Sequence, residues 1–127
     1  MTDQTDGPHL PHSAVIEAYG KGGFRFAGMS HRGSLLCLPD GIWPWPVATP
    51  QAIDEAALSI VFARADRLDF FILGTGRDPW IVPDTLRARF RDLGLRLDAM
   101  PTGPAVRTYN VVVAEGRRIG AGLIAVD

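Results

Sequence analysis

The apolar positions of this chain are most concentrated in Phe70-Phe71-Ile72-Leu73, a run preceded by Leu68-Asp69 and stopped by Gly74-Thr75-Gly76. Successive apolar residues in a run too short for a typical helix predict a strand covered on both faces. The two glycines predict a turn whose backbone angles would strain other residues. Upstream, Ala14-Val15-Ile16-Glu17-Ala18-Tyr19 predicts a short strand and Gly20-Lys21-Gly22-Gly23 a tight reversal. Phe24-Arg25-Phe26-Ala27 alternates with period two, the pattern of a half-exposed strand. Residues 28–33 predict another turn. Ser34-Leu35-Leu36-Cys37-Leu38 predicts a more fully buried strand ended by Pro39-Asp40-Gly41. Together these three strands are expected to form an antiparallel meander.

Beyond them, Ile42-Trp43-Pro44-Trp45-Pro46 is incompatible with regular helix, because proline removes a donor and restricts its predecessor. It is expected to be a rigid loop. Thr49 and Pro50 have the chemistry of a helix cap and first helical position, and Ile53, Ala56, Ala57, Ile60 and Val61 follow at helical spacing. The segment 76–82 predicts a loop, 83–93 a second helix with Leu86, Phe90 and Leu93 inward, and 95–100 an alternating strand. Residues 104–114 are rich in strand formers, Thr108, Tyr109 and Val111 to Val113. Yet Ala105, Val106, Tyr109, Val112 and Val113 share a helical face, and a helix would supply the crossover that parallel strands need. Helix is the chosen reading, with a last strand over 119–126 whose Gly120 and Gly122 allow close backbone approach. The fold class is α/β: a compact single-domain three-layer β/α fold, an N-terminal β-meander followed by alternating helix and strand with a mixed sheet. The expected organisation is a disordered N-terminal tail over 1–13 and one domain over 14–127.

Composition narrows the function classes. At 127 residues and 46% hydrophobic, the chain can build a sizeable core. Its formal net charge of -1 offers no electrostatic case for nucleic acid or an anionic membrane. The lone Cys37 excludes an intrachain disulfide or a cysteine-based metal cage, and within its apolar run it reads as a core thiol rather than a reactive one. No segment reads as a secretory signal or a bilayer span, so the cytoplasm is the expected location. His9 and His12 lack companions that would make a metal site, and no metal or cofactor is expected.

The candidate chemistry is sparse. Gly74, Thr75 and Gly76 end a presumed central parallel strand, where open α/β sheets bind ligands and free amides can cradle an anion. Pro79 stands where a dinucleotide fingerprint would need its third glycine, and no Gly-Lys-Ser/Thr follows. A structural turn is the competing reading. Arg107 and Asn110, spaced i and i+3 on the third helix, could join that anion site. Asn110 could equally satisfy buried backbone, with Glu115 pairing an arginine. Trp43 and Trp45 read either as an aromatic surface for a partner or as indoles that lid the core. No nucleophile elbow is present, and no histidine has an evident nucleophile beside it.

Four motifs occur in order: Pro39-Asp40-Gly41 with Trp43, Leu73-Gly74-Thr75-Gly76, Arg107-Thr108-Tyr109-Asn110, and Glu115-Gly116-Arg117-Arg118. Together they resemble a family of small domains of unknown function. The family includes an archaeal prototype, the adipogenesis-associated domain protein of animals and a mitochondrial assembly factor for respiratory complex I. The resemblance covers roughly 14–126 and implies the three-layer fold, helix over 104–114, and no established enzymatic activity. Members often carry Asp and Ala-Cys where this chain has Pro101 and Ala105-Val106, which removes any thiol at position 106.

Two functions follow as expectations. One is a non-catalytic binding or assembly-factor-like module with a protein partner, similar to the complex I assembly factors. The other is a small anionic-ligand-binding protein or enzyme using the Gly74 to Gly76 turn and Arg107. Missing general bases favour the first.

Overall fold

In this computed structural model, which describes residues 8–127, the apolar run becomes β6 (Phe70–Gly74) at the middle of the molecule. It lies between β8 (Ile119–Leu123) and β7 (Arg96–Met100), parallel to both. β4 (Ser34–Leu38) pairs antiparallel with β8 and with the edge strand β5 (Gly41–Trp45), completing a five-stranded mixed sheet. Both faces of β6 are covered, as consecutive apolar residues require. Phe71 and Leu73 join Leu36, Leu38 and the inward residues of α1 (Ser59–Phe62) and α2 (Asp84–Asp92) in one core cluster. Phe70 and Ile72 join Leu35, Cys37 and α3 (Thr102–Ala114) in the other. A second sheet of β1 (Ile16–Gly20), β2 (Gly23–Phe26) and β3 (Met29–Arg32) adds Ile16, Phe24 and Phe26 to that second cluster. The α/β three-layer expectation is therefore met.

Helix wins over 102–114 because it buries Ala105, Val106, Tyr109 and Val112 on the sheet while carrying the chain from β7 over β6 to β8. It starts two residues before Pro104.

The meander is real but displaced. Residues 29–32 form β3 instead of a turn, and β4 belongs to the large sheet. Met29-Ser30-His31-Arg32 has no apolar alternation, because this edge strand is stabilised by backbone pairing with β2, not by burial. Its entry turn puts Ala27 and Gly28 at φ 50° and 74°, the positive pair a two-residue hairpin needs.

The expected loop over 42–46 is instead mostly strand β5. Proline is tolerated there because β5 pairs with β4 alone as a full strand, so Pro44 interrupts no second ladder. The expected first helix is broken. After a 3-10 turn at Pro50–Ala52, Ile53 is extended, and only Ser59–Phe62 is α-helical. The Asp54 carboxylate accepts from the Ala57 amide at 2.8 Å and restarts the turn, whereas the Thr49 side chain makes no cap.

Of the expected tail, residues 1–7 lie outside the described residues. Residues 8–13 are not free: the His9 amide donates to the Ile42 carbonyl at 2.7 Å and the Ile42 amide to Leu10 at 3.0 Å. They cover the open edge of β5, which backbone pairing stabilises despite the polar sequence.

Candidate functional site

Chain topology points to the carboxyl ends of β6 and β7. The chain leaves β6 toward α2 on one face and leaves β7 toward α3 on the other, so the order reverses there. In this protein the crevice is laced shut. The Thr75 amide donates to the Met100 carbonyl at 2.9 Å, and the Gly76 amide to Thr102 Oγ1 at 2.9 Å. Thr102 returns its own amide to the Gly76 carbonyl at 2.8 Å and its hydroxyl to the Ile124 carbonyl at 2.7 Å. The Thr75 hydroxyl donates to the Asp78 carbonyl at 2.7 Å. The amides of Thr75 and Gly76 are thus committed to internal acceptors. Thr102, fully buried, is the residue that sequence reasoning missed. Its signal was a hydroxyl residue directly after Pro101 at a helix start, obscured by placing that start at Pro104.

Arg107 and Asn110 lie elsewhere. A cavity of about 350 Å³ borders Thr75 and Gly76, together with Arg77, Asp78 and Trp80, and neither Arg107 nor Asn110 lines it. Arg107 is exposed on α3, its Nη1 and the Tyr19 hydroxyl both lying over Gly103. Asn110 makes two bonds to one residue, accepting from the Ile16 amide at 2.8 Å and donating to the Ile16 carbonyl at 2.8 Å. Gly74, Thr75 and Gly76 are brought together with Thr102, not with Arg107 or Asn110.

Trp43 and Trp45 are 8% and 4% exposed and belong to the core cluster on the α2 side. A side chain at position 122 would approach the Trp45 ring to 2.7 Å, so Gly122 makes room for it, and the indole N–H donates to the Ala57 carbonyl at 2.9 Å. Neither indole offers the aromatic surface expected of a partner site. Cys37 is fully buried, and desolvation pushes its thiol up to about 12, opposed by the Tyr109 hydroxyl. A thiol held protonated is a poor nucleophile.

The histidines form a pair unforeseen from the sequence: His9 Nε2 lies 3.0 Å from His31 Nδ1. His31 Nε2 lies 3.2 Å from the Ser34 carbonyl. A carbonyl only accepts, so His31 carries its proton on Nε2 and receives one from His9 on Nδ1. Among the described residues no group of three or more His, Cys, Asp or Glu could hold a metal ion. No helix among them is long and apolar enough to cross a membrane.

The profile of a family described as "Protein of unknown function (DUF498/DUF598)" matches residues 16–124. The chain belongs to this family. Among its relatives is an uncharacterized protein of Rhodobacter capsulatus, 38% identical over 92% of this chain and 89% of that one. Another is the mouse NADH dehydrogenase (ubiquinone) 1 alpha subcomplex assembly factor 3, 30% identical over 91% of this chain. This chain spans 62% of the mouse protein's length. Among solved structures, one titled as an outer membrane protein from Bartonella henselae superposes with a TM-score of 0.90 at 42% identity, covering 94% of this chain and 100% of that one. A Rhodopseudomonas palustris protein superposes at 0.83 with 53% identity, covering 98% and 93%. The family and the fold expected from the motifs are confirmed.

Proposed function

We propose that this chain is a non-catalytic binding module that acts as an assembly factor does, through a protein partner. The observation that carries this reading is its relatedness to complex I assembly factor 3 over nine-tenths of its own length. The internal use of its reactive groups agrees with it. Cys37 is buried and protonated, the hydroxyls of Thr75 and Thr102 donate to backbone carbonyls, and Asn110 serves β1. Because the chain matches about three-fifths of the mouse protein, the proposed role is that of the shared domain. A lone thiol suits a reducing compartment, and the cytoplasm is the proposed location.

The test is deletion of the gene in its own organism, followed by native-gel quantitation of assembled NADH:quinone oxidoreductase. The expected result is loss of the assembled complex, restored by the intact chain. Full assembly in the deletion strain would refute the reading.

A further inference from the structure

At the end of the sheet opposite Gly76, two segments distant in sequence bring three guanidinium groups to one cavity. It has a volume of about 290 Å³ and is lined by Pro39, Asp40, Arg64, Arg67, Leu68 and Arg118. Arg64 and Arg67 flank one 3-10 turn, in which the Arg67 amide donates to the Arg64 carbonyl at 2.9 Å. Side chains spaced i and i+3 on such a turn eclipse, so both are carried on one side. Arg64 is held in place. Its Nε donates to both Asp40 carboxylate oxygens at 3.1 and 2.9 Å, its Nη1 to the Ile60 carbonyl at 3.2 Å, and its guanidinium stands 5.2 Å from the Trp43 ring centre. Arg118 is held by Asp69, which accepts from the Arg118 amide at 3.0 Å and from Nη2 at 3.1 Å. Among the described residues Arg67 makes no ion pair. The lining thus carries three guanidiniums, set against two carboxylates once Asp69, the partner of Arg118, is counted with Asp40. Asp66, on the same 3-10 turn, lies outside the lining.

We propose that this cavity is a binding site for a phosphate monoester dianion. Arg67 supplies the positive charge that no carboxylate among the described residues matches, and Arg64 Nη2 and Arg118 Nη1 are not taken by Asp40 or Asp69, so their free N–H donors can meet the three acceptor oxygens of a phosphate monoester. Guanidinium forks bind phosphate oxygens in bidentate fashion, and two of the three are already oriented, which lowers the cost of ordering them on binding. The volume lies at the small end of ligand cavities, suited to a headgroup-sized anion. Leu68 and Pro39 give the site an apolar side against which the carbon part of an ester can pack. This site is independent of the assembly role.

The test is a nitrogen-proton NMR titration of the full chain with inorganic phosphate, phenyl phosphate and, separately, glutamate. Saturable shifts are expected at the Arg64 and Arg118 side-chain Nε–H signals and the Leu68 amide. Phenyl phosphate should bind more tightly than inorganic phosphate, and glutamate at least tenfold more weakly. Arg67→Glu alters an exposed, unpaired side chain and should fold normally while weakening phosphate binding at least tenfold. Arg107→Ala, on α3, should leave it unchanged. Equal shifts at all surface arginines, glutamate binding as tight as phosphate, or unaltered binding by Arg67→Glu would each overturn the proposal.

Discussion

Asn110 pairs with Ile16 as a neighbouring strand would, its carboxamide accepting from the Ile16 amide and donating to the Ile16 carbonyl, both at 2.8 Å. β1 is the edge of the small sheet, and Ile16 is its first residue. One side chain thereby ties α3 to the small sheet, with the Tyr109 hydroxyl adding a bond to the Ala14 carbonyl at 2.9 Å. Asn110→Ala should cost about 1–3 kcal/mol, the penalty for leaving partly buried donors and acceptors unpaired. Asn110→Asp, which keeps the acceptor and loses the donor, should also destabilise. Urea unfolding curves measure both, and wild-type midpoints would contradict the tie.

Thr102 should be stabilising through its hydroxyl alone. Thr102→Val keeps the shape but strands the Gly76 amide and the Ile124 carbonyl, with an expected loss of about 2–4 kcal/mol for two groups. Thr102→Ser retains both bonds and should lose less. Thermal unfolding of the two variants checks the ranking; a larger loss in Thr102→Ser than in Thr102→Val would assign the effect to the methyl group.

Cys37 should resist alkylation in the folded protein. With the thiol pushed up to about 12 by burial, thiolate near pH 8 is about one part in ten thousand, and the sulfur has no access to solvent. Maleimide labelling followed by mass spectrometry should show reaction only in denaturant. Cys37→Ala should cost about 1–2 kcal/mol in packing and leave partner binding unchanged. Rapid labelling without denaturant would overturn the assignment of a core thiol.

Acidification from pH 7.5 to 5 should weaken the fold through His31. Burial, and then the neighbouring His9, hold its pKa below the ordinary 6.5, while the bond to Ser34 opposes them. A depressed histidine favours the neutral form in the folded state. Its contribution is therefore full above 6.5 and declines as pH falls through the lowered value. Protonation of Nδ1 would also place a proton between the His31 and His9 rings. Denaturant midpoints should fall over this window, and the fall should shrink in His31→Gln. A midpoint that rises on acidification would contradict the sign. Asp69, lowered by its bonds to the Arg118 amide and guanidinium, acts in a separate window below about pH 4.

Much of the architecture was legible because it rests on local signals. The run Phe70 to Leu73 is apolar at every position, and only a strand covered on both faces uses such a pattern. The helical face of Ala105, Val106, Tyr109 and Val112 outweighed strand propensity because crossing from β7 to β8 needs a helix. The segments misread were those stabilised by something outside themselves. β3 has no apolar pattern because backbone pairing with β2 holds it, and Pro44 is permitted only because β5 lies at an edge. Asp54 interrupts the first helix through a side-chain bond that competes with helical periodicity.

The sequence by itself determined the fold class, the central strand, the family motifs and the core character of Cys37, since each follows from residue type and spacing. Only the tertiary structure decided what those motifs do. It set Thr102 against Gly76, placed Asn110 on Ile16 and left Arg107 exposed near Gly103 and Tyr19. It also brought Arg118 from the last motif to the cavity beside Asp40 of the first, across 78 positions of chain. Hydrogen bonding and charge act through distances of a few ångströms, and sequence separation does not report those distances once a chain has folded.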